Sequence, residues 1–389
     1  MRKILALTSI RSEYDLMSRL FQLLRDDKDI DLQLLVSGAH LSPAHGYTID
    51  DVRKDGIHIL AEVETLISAD SRASRLKTAS GLLAGSIDIV KMFQPDLIMF
   101  AGDREDVLVG AMLGGFLGIP TIHFFGGDHA SDGHIDNSLR HATSKIASAH
   151  VVSLEEHRQR LLSIGESPHR IFVVGSVALD KFVSEPVLPL EGVLSKMNAK
   201  AHATSAPLAL LIFHPIEEEK SIAADYIENA IQALIEQGFH VCVGAPNTDP
   251  GNFELVSALT QLSKNEQVTF YGNLARSEFI NLLRHVSIIV GNSSAGIVEA
   301  ASLKLPAINI GARQRGRLCG KNVFFCGGEL IEIRQALETV LSKSFQQDLT
   351  TLINPYGNGR SAETVIELLK TVDFASMLSK PEDPLNVAH

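Results

Sequence analysis

The sequence predicts an α/β protein built from two parallel-sheet domains. Short runs of β-branched and aliphatic residues recur along the chain and alternate with longer amphipathic stretches. The runs are apolar throughout, without the alternation of a half-exposed strand, which is typical of parallel strands covered by helices on both faces. The chain has 389 residues, and because domains average about 150 residues, we expect two sizeable domains.

The first half of the chain contains five runs that predict strands. Between the first two runs, Leu16, Leu20 and Leu24 fall at helical spacing, which indicates a helix with one apolar face. The predicted strands cover Lys3–Thr8, Leu32–Ser37, Asp96–Ala101, Thr121–Phe125 and Ile171–Gly175.

A change of composition at Val183–Ser205 predicts the linker between the domains, because prolines there precede a polar segment without strong periodicity. We therefore place an N-terminal domain at residues 1–185, a C-terminal domain at 206–370 and a tail at 371–389. The tail contains two prolines among charged residues, and we expect it to be mobile or to pack back on the N-terminal domain. The second half has a helical pattern at Ile222–Gln237, and its predicted strands cover Leu208–Phe213, His240–Gly244, Val268–Tyr271, Ser287–Val290, Ala307–Ile310 and Val323–Phe325.

Charge and cysteine content exclude several classes of function. The chain has 35 basic and 46 acidic residues, a net charge of −11, which repels nucleic acids and anionic membranes. Its three cysteines match neither a disulfide framework nor a structural zinc pattern. No apolar run approaches the roughly 18 residues of a membrane span, and Met1–Ile10 lacks the apolar core of a signal peptide. We therefore expect a soluble cytoplasmic protein that binds neither nucleic acid nor membrane.

Carboxylates follow two predicted strands of the first domain. Asp103 comes after the strand at Asp96–Ala101, Asp128 follows the next strand, and Asp136 lies a little further on. Ligands of open parallel sheets bind beyond the carboxyl ends of the strands, so these acids are expected to converge. Like-charge repulsion would then raise their proton affinity, as proton abstraction and return require. The structural alternative is that Asp128 caps a helix and Asp136 pairs with Arg140 on the surface.

A glycine- and serine-containing turn in the second half has the character of a phosphate site. A predicted strand runs into Gly291–Gly296, where free amides at the start of a helix favour an anion. Ser293 and Ser294 add hydroxyl donors, and His214 follows another strand of the same domain. The alternatives are a simple serine N-cap and a structural histidine. Three arginines that would suit a diphosphate follow a third strand, namely Arg313, Arg315 and Arg317.

The sequence lacks the motifs of common cofactors. Neither a Walker A run nor a Gly-x-Gly-x-x-Gly motif follows the first strand, where Arg11 stands instead, and this disfavours ATP and nicotinamide cofactors. We expect no cofactor and no catalytic metal, because the histidines near the acids form no recognised metal motif. These histidines are His123, His129, His134 and His141.

Several of these segments together resemble one family, the hydrolysing UDP-N-acetylglucosamine 2-epimerases of sialic acid and legionaminic acid biosynthesis. The resemblance runs nearly end to end. It implies a GT-B architecture with an interdomain cleft, sugar chemistry on the first Rossmann-like domain, the nucleotide on the second, and homodimers or homotetramers. The segments that carry it are Arg11, Tyr14, Ser37–Ser42, Gly46–Thr48, Gly102–Arg104, Gly126–Asp128, Ile135–Asn137, Arg140–His141, His214–Pro215, Gly291–Gly296 and Gly311–Gly316.

The resemblance implies a reaction without a cofactor. The C2 proton of UDP-N-acetylglucosamine is removed and UDP departs to leave a 2-acetamidoglucal, whose hydration releases N-acetylmannosamine. The resemblance implies that Asp103, Asp128 and Asp136 divide the proton transfers and that His214 assists the departing diphosphate. The residues implied in binding the substrate or nucleotide are Arg11, Arg104, Asn247, Ser293, Ser294, Glu299 and Arg313, with Glu299 as the ribose partner.

Two positions depart from the family pattern. Asp128 stands where relatives commonly have glutamate, so its carboxylate is one methylene shorter. Asp15 stands where relatives often have a small residue, and it would repel a diphosphate unless it turns away or meets Arg104. UDP-2,4-diacetamido-2,4,6-trideoxyglucose and GDP-N-acetylglucosamine therefore stay open as substrates. The other functions considered are a non-hydrolysing epimerase, a GT-B glycosyltransferase and a nucleotide-sugar sensor.

Overall fold

The computed structural model describes residues 1–67, 71–130, 135–214, 219, 221–245, 262, 264–272 and 274–384. The chain divides into two compact units. The first is formed mainly by Met1–His129, Gly133–Val183 and Tyr356–His389, and the second by Ser184–Pro355. Within the described ranges, no helix combines the length and the apolar character of a membrane-spanning segment.

The described part of the first unit is built on a seven-stranded sheet with the strand order β3-β2-β1-β4-β5-β6-β7. Every neighbouring pair of strands is parallel. Five strands match the sequence prediction to within two residues, whereas β3 and β6 were not predicted. The strands are β1 (Arg2–Thr8), β2 (Ile30–Ser37), β3 (His58–Val63), β4 (Leu97–Ala101), β5 (Thr121–Phe124), β6 (Ala149–Val152) and β7 (Ile171–Val173).

Apolar side chains cover both faces of this sheet. Ile4 and Ala6 of β1 belong to a core shared with the first helix, and Leu5 and Leu7 belong to a second core on the opposite face. Because both faces are buried, the strands need no polar alternation, which explains the continuous apolar runs in the sequence. The helices of this part of the chain are α1 (Arg11–Arg25), α2 (Ile49–Lys54), α3 (Arg72–Phe93), α4 (Glu105–Leu117), α5 (Ile135–Ile146), α6 (Glu155–Ser163) and α7 (Asp180–Ser184).

The described part of the second unit is built on a six-stranded parallel sheet with the order β10-β9-β8-β11-β12-β13. Each predicted strand of this half is observed to within one residue at either end. The strands are β8 (Leu208–Ile212), β9 (His240–Gly244), β10 (Val268–Tyr271), β11 (Ile288–Gly291), β12 (Ala307–Ile310) and β13 (Val323–Cys326). The helices are α8 (Leu190–Lys196), α9 (Ala223–Glu236), α10 (Arg276–His285), α11 (Ser294–Val298), α12 (Leu330–Val340) and α13 (Lys343–Leu349).

The last helix, α14 (Ser361–Thr371), belongs to the first unit. The sequence-based division assigned residues up to 370 to the second domain, because a helical pattern does not reveal which sheet it covers. The buried carboxylate of Asp180 accepts hydrogen bonds from the backbone N–H groups of Ser361 at 3.1 Å and Ala362 at 2.6 Å. These bonds satisfy amides at the start of α14 and anchor the helix.

The described part of the tail is held on the first unit by ion pairs. Arg170, which is buried, donates to the carbonyl oxygen of Ser379 at 2.6 Å and to the Glu382 carboxylate at 3.0 Å. Lys380 Nζ lies 2.6 Å from Glu166 Oε2. Ser379, Lys380 and Glu382 are therefore tied to the first unit at Glu166 and Arg170.

Candidate functional site

The carboxyl ends of β4 and β5 bring two polar loops side by side. Ala101 of β4 is in register with Phe124 of β5, so the chain leaves the sheet at neighbouring points. Gly127 in the second loop has a φ of 73°, and a Cβ there would lie 2.2 Å from the carbonyl oxygen of His157. Only glycine fits this position, and it fixes the backbone immediately before Asp128.

We define the acid cluster as Asp103, Asp128 and Asp136 together with Arg75 and Arg140. Arg140 Nη2 pairs with Asp103 Oδ2, and Arg75 Nη2 lies 3.0 Å from Asp136 Oδ1. Both of the other carboxylates act electrostatically on Asp103. The first unit therefore brings together the three acids that the sequence singled out.

Asp128 lies in the same cluster but is held by different partners. Its Oδ1 accepts a hydrogen bond from the backbone N–H of His129 at 2.8 Å and lies 3.5 Å from His157 Nε2. His157 is buried. The shorter side chain at this position is therefore fixed close to its own loop.

Burial is the largest cause that raises the pKa of Asp103 above its usual value. The charge of Arg140 counteracts burial, and the carboxylates of Asp136 and Asp128 add to it. The predicted like-charge effect is therefore present but is second to burial. A carboxyl whose pKa is raised in this way holds a proton closer to neutral pH, which suits general acid–base chemistry.

The alternative that Asp136 pairs with Arg140 on the protein surface is wrong. Arg140 is only 8% exposed and pairs with Asp103, whereas Asp136 pairs with Arg75. The Nε and Nη1 atoms of Arg140 are buried and have no hydrogen-bond partner among the described residues. Because buried donors are normally satisfied, these two atoms need a partner that the described residues do not supply.

Sequence reasoning missed the role of His123, which is hydrogen-bonded to the residue before Asp103. Its buried ring places Nε2 2.8 Å from the carbonyl oxygen of Gly102 and Nδ1 3.0 Å from Ser144 Oγ. Burial lowers the pKa of His123 to about 3, so the ring is neutral and Nε2 donates to Gly102. A histidine inside a predicted strand gives no sign of this bond in the sequence.

A second pair of carboxyls, Glu13 and Asp106, lies beside the acid cluster and was also not predicted. Glu13 belongs to the first turn of α1 and Asp106 to the first turn of α4, and the Asp106 carboxylate acts electrostatically on Glu13. Burial raises the pKa of both groups.

Arg11, at the start of α1, neutralises the unusual acid at position 15. Arg11 Nε lies 3.3 Å from Asp15 Oδ2. Arg11 and Asp15 are one helical turn apart on α1, so this pair offsets the charge of Asp15 locally. Arg104 lies beside the acids, and its charge lowers the proton affinity of Asp103 and Asp106.

In the second unit, Asn292 connects the ends of three strands. Its Oδ1 accepts the backbone N–H of His214 at 2.7 Å, and its Nδ2 donates to the His214 carbonyl at 2.8 Å. Its own carbonyl oxygen accepts from Arg313 Nη1 at 3.0 Å. The preceding Gly291 has a φ of 125°, and a Cβ there would lie 2.0 Å from the Ile212 carbonyl oxygen. This turn therefore places His214 and Arg313 at one edge of the sheet.

The remaining nucleotide-site predictions fall in or near the same turn. Ser293 accepts a hydrogen bond from the backbone N–H of Ala295 at 3.3 Å and so caps α11, as in the alternative of a simple serine N-cap. Ser294 is exposed. Glu299 is buried and pairs with Arg276. Asn247 lies outside the described residues. Burial, and then the charge of Arg313, lower the pKa of His214 to about 3, so its ring is neutral.

Comparisons with known proteins agree with this geometry. The family model of UDP-N-acetylglucosamine 2-epimerase matches residues 22–370. A UDP-N,N'-diacetylbacillosamine 2-epimerase (hydrolyzing) of Legionella pneumophila is 29% identical, over 97% of this chain and 98% of that protein. A GDP/UDP-N,N'-diacetylbacillosamine 2-epimerase (hydrolyzing) of Campylobacter jejuni is 31% identical, over 97% and 98% of the two chains.

Solved structures agree on the fold. The crystal structure of the Neisseria meningitidis UDP-GlcNAc 2-epimerase bound to UDP-GlcNAc has a TM-score of 0.78 and 17% identity, and the match covers 94% of this chain and 99% of that one. The predicted fold class, two Rossmann-like parallel-sheet domains of the GT-B type, is confirmed.

Proposed function

Because this chain belongs to the UDP-N-acetylglucosamine 2-epimerase family, we propose that it hydrolyses a UDP-linked 2-acetamido sugar with inversion at C2. The chain is an enzyme that acts on a nucleotide sugar. In the proposed reaction the C2–H and C1–O bonds break to give UDP and a 2-acetamidoglucal. Water then adds its hydroxyl to C1 and a proton enters C2 from the opposite face, which yields the free 2-epimer.

The convergence of Asp103, Asp128 and Asp136 carries this proposal. Proton removal at C2 requires a carboxylate, and proton return requires a carboxyl, so the site needs acids in different protonation states. The raised pKa of Asp103 suits the proton-holding role, and the Arg75 guanidinium beside Asp136 suits a carboxylate that accepts a proton. Asp128 completes the set, and the unpaired donors of Arg140 are available to the sugar.

The turn at Asn292 supplies the groups proposed for the diphosphate. His214 is neutral, so it assists the departing UDP by donating an N–H hydrogen bond rather than by giving up a proton from an imidazolium. Arg313, Ser293 and Ser294 are proposed as its other donors. Arg11, Arg104, Asn247 and Glu299 remain proposed contacts of the diphosphate, uridine or ribose.

Three nucleotide sugars are proposed as candidate substrates. UDP-N-acetylglucosamine is the substrate that the sequence motifs favour. UDP-2,4-diacetamido-2,4,6-trideoxyglucose, which is UDP-N,N'-diacetylbacillosamine, is favoured by the relatives of 29% and 31% identity that carry this sugar in their names. The GDP-linked N-acetylglucosamine is a third candidate.

The decisive experiment is a proton NMR time course of the purified protein in deuterated water with each nucleotide sugar, without added metal or nicotinamide cofactor. We expect free 2-epimer with deuterium at C2, together with the nucleoside diphosphate, from one of the three substrates. A product that is still nucleotide-linked would instead indicate a non-hydrolysing epimerase. Tight UDP binding with no turnover of any substrate would overturn the proposal in favour of a sensor.

We also propose a cytoplasmic homodimer or homotetramer. The family resemblance supports the oligomeric state, and the three free cysteines support a reducing compartment. Light scattering coupled to size-exclusion chromatography tests the first point, and a monomer at micromolar concentration would overturn it.

A further inference from the structure

Arg75 links two loops of the acid cluster but belongs to no motif that predicted the site. It lies in the first turns of α3, whereas Glu105 begins α4 and Asp136 lies in the first turn of α5. Glu105 Oε2 accepts hydrogen bonds from Arg75 Nε at 3.1 Å and Nη2 at 2.6 Å. The same Nη2 lies 3.0 Å from Asp136 Oδ1.

This geometry fixes the guanidinium plane of Arg75. Two donors on one carboxylate oxygen leave the group little freedom to rotate, and the third contact sets its position relative to Asp136. Glu105 is two residues after Asp103 in the chain, so Arg75 ties the Asp103 loop to the helix that carries Asp136. Burial alone would raise the pKa of Glu105, but the hydrogen bonds from Arg75 lower this pKa overall. Glu105 therefore stays ionised and continues to bind the Arg75 guanidinium.

The ion pairs of Arg75 contribute little to the free energy of folding. Its side chain is 35% exposed, and ion pairs with this exposure contribute about 0–1 kcal/mol to folding. Loss of Arg75 should therefore leave the fold intact while freeing the Asp136 carboxylate to rotate. A misplacement of about 1 Å at a reacting group can reduce the rate about 100-fold.

We propose that Arg75 is a positioning residue: anchored by Glu105, it holds the Asp136 carboxylate in the orientation that proton transfer at the sugar requires. The inference rests on the proposed function. It assigns a role to a residue of α3, outside all the segments that carry the family resemblance.

The test compares Arg75→Met, Arg75→Lys and Glu105→Gln with a matched control, using the nucleotide sugar that the wild type hydrolyses. Arg53→Met is the control, because Arg53 bridges Asp50 at 2.9 Å and Glu62 at 2.6 Å in the same unit. We expect Arg75→Met to lower kcat about 100-fold with little change in KM or in UDP affinity. Arg75→Lys should recover part of the loss, since lysine keeps the charge but not the planar fork.

Two further readouts separate positioning from a merely structural role. Loss of a positive charge makes protonation of the cluster easier, so the acidic limb of the kcat–pH profile should move to higher pH in Arg75→Met and remain in place in Arg53→Met. In the Asp136→Asn background, Arg75→Met should cost nothing further, because it acts through Asp136.

A wild-type kcat in Arg75→Met, or an equal loss with and without Asp136, overturns the inference and leaves the proposed function standing. An inactive wild type on all three nucleotide sugars overturns the proposed function instead.

Discussion

Two carboxylate sites in the first unit differ in how many positive charges meet each acid. At the first, one carboxylate, Glu166, is 1% exposed and is contacted by His150 Nε2 at 2.9 Å, Lys145 Nζ at 2.8 Å and Lys380 Nζ at 2.6 Å. At the second, the acid cluster, Asp103 pairs with Arg140, and Asp136 pairs with Arg75, which is also bonded to Glu105.

The difference shows that charge balance, more than burial, separates the two kinds of site. Burial acts in the same direction on both acids and would raise the pKa of each. At Glu166 the hydrogen bond from His150 and the charges of the two lysines reverse this effect and lower the pKa to about 2. At Asp103 the charges of Arg140 and Arg104 do not outweigh burial and the neighbouring carboxylates, and the pKa stays raised. Glu166 is therefore a structural acid, whereas Asp103 is poised to exchange a proton.

Asp103→Asn gives the strongest test of this comparison. The amide cannot hold or transfer a proton, so we expect kcat to fall by about 10²–10⁴-fold, the typical contribution of a general acid or base. UDP affinity should stay at the wild-type level, because the acid cluster belongs to the sugar chemistry in our proposal. Steady-state kinetics and calorimetric titration with UDP measure the two quantities. Full activity in both Asp103→Asn and Asp136→Asn would contradict the assignments.

Glu166→Gln is the matched change at the structural site, and it should have the opposite profile. Removal of one partner from a buried ion pair leaves uncompensated charge, and a pKa lowered from 4.5 to about 2 corresponds to about 3 kcal/mol. We therefore expect urea unfolding to show a loss of about 3 kcal/mol in the free energy of unfolding, with kcat nearly unchanged at 25 °C. A loss of kcat as large as that of Asp103→Asn would erase the distinction between the sites.

The two sites should also give opposite contributions to stability as pH changes. The folded pKa of Glu166 is below the unfolded value, so its contribution is complete above about pH 5 and is lost as the pH falls toward 2. The folded pKa of Asp103 is above its unfolded value, so its ionisation costs stability as the pH rises through that pKa. Urea titrations between pH 3 and 7 should show a flatter profile for Glu166→Gln than for the wild type. As the pH rises, the free energy of unfolding of Asp103→Asn should increase relative to that of the wild type. The same slope of unfolding free energy against pH in Asp103→Asn and Glu166→Gln would contradict the comparison.

The strands that could be predicted from the sequence are those that are apolar throughout. The two strands that were not predicted, β3 and β6, contain polar residues for different reasons. β3 is an edge strand whose residues are mostly half-buried, so polar His58 and Glu62 interrupt its pattern. β6 has four residues and is fully buried, but His150 lies within it, and a hydrogen bond between its Nε2 and Glu166 satisfies that polar atom in the core.

The site residues that could be predicted from the sequence are those that follow the ends of strands. Asp103 and Asp128 follow β4 and β5 directly, so topology alone brought them together. Arg75 and Glu13 come from the first turns of helices that are distant in sequence, and no local pattern shows that these turns lie beside the acids. The pairing of Arg140 with Asp103 rather than with Asp136 likewise follows from the rotation of α5, which helical spacing does not set.

Lys145→Met should have the smallest effect, and it tests whether the positive charges at Glu166 are redundant. Lys145 is 40% exposed and is one of three nitrogen-bearing side chains on the carboxylate, whereas Lys380 is 21% exposed. Half-exposed pairs contribute about 0–1 kcal/mol, so the free energy of unfolding should fall by no more than about 1 kcal/mol. Arg140→Met, which removes the cation that pairs with Asp103, should by contrast impair turnover far more than stability. If Lys145→Met costs as much as Glu166→Gln, the positive charges at Glu166 are not redundant, and Lys145 is itself required to keep the carboxylate ionised.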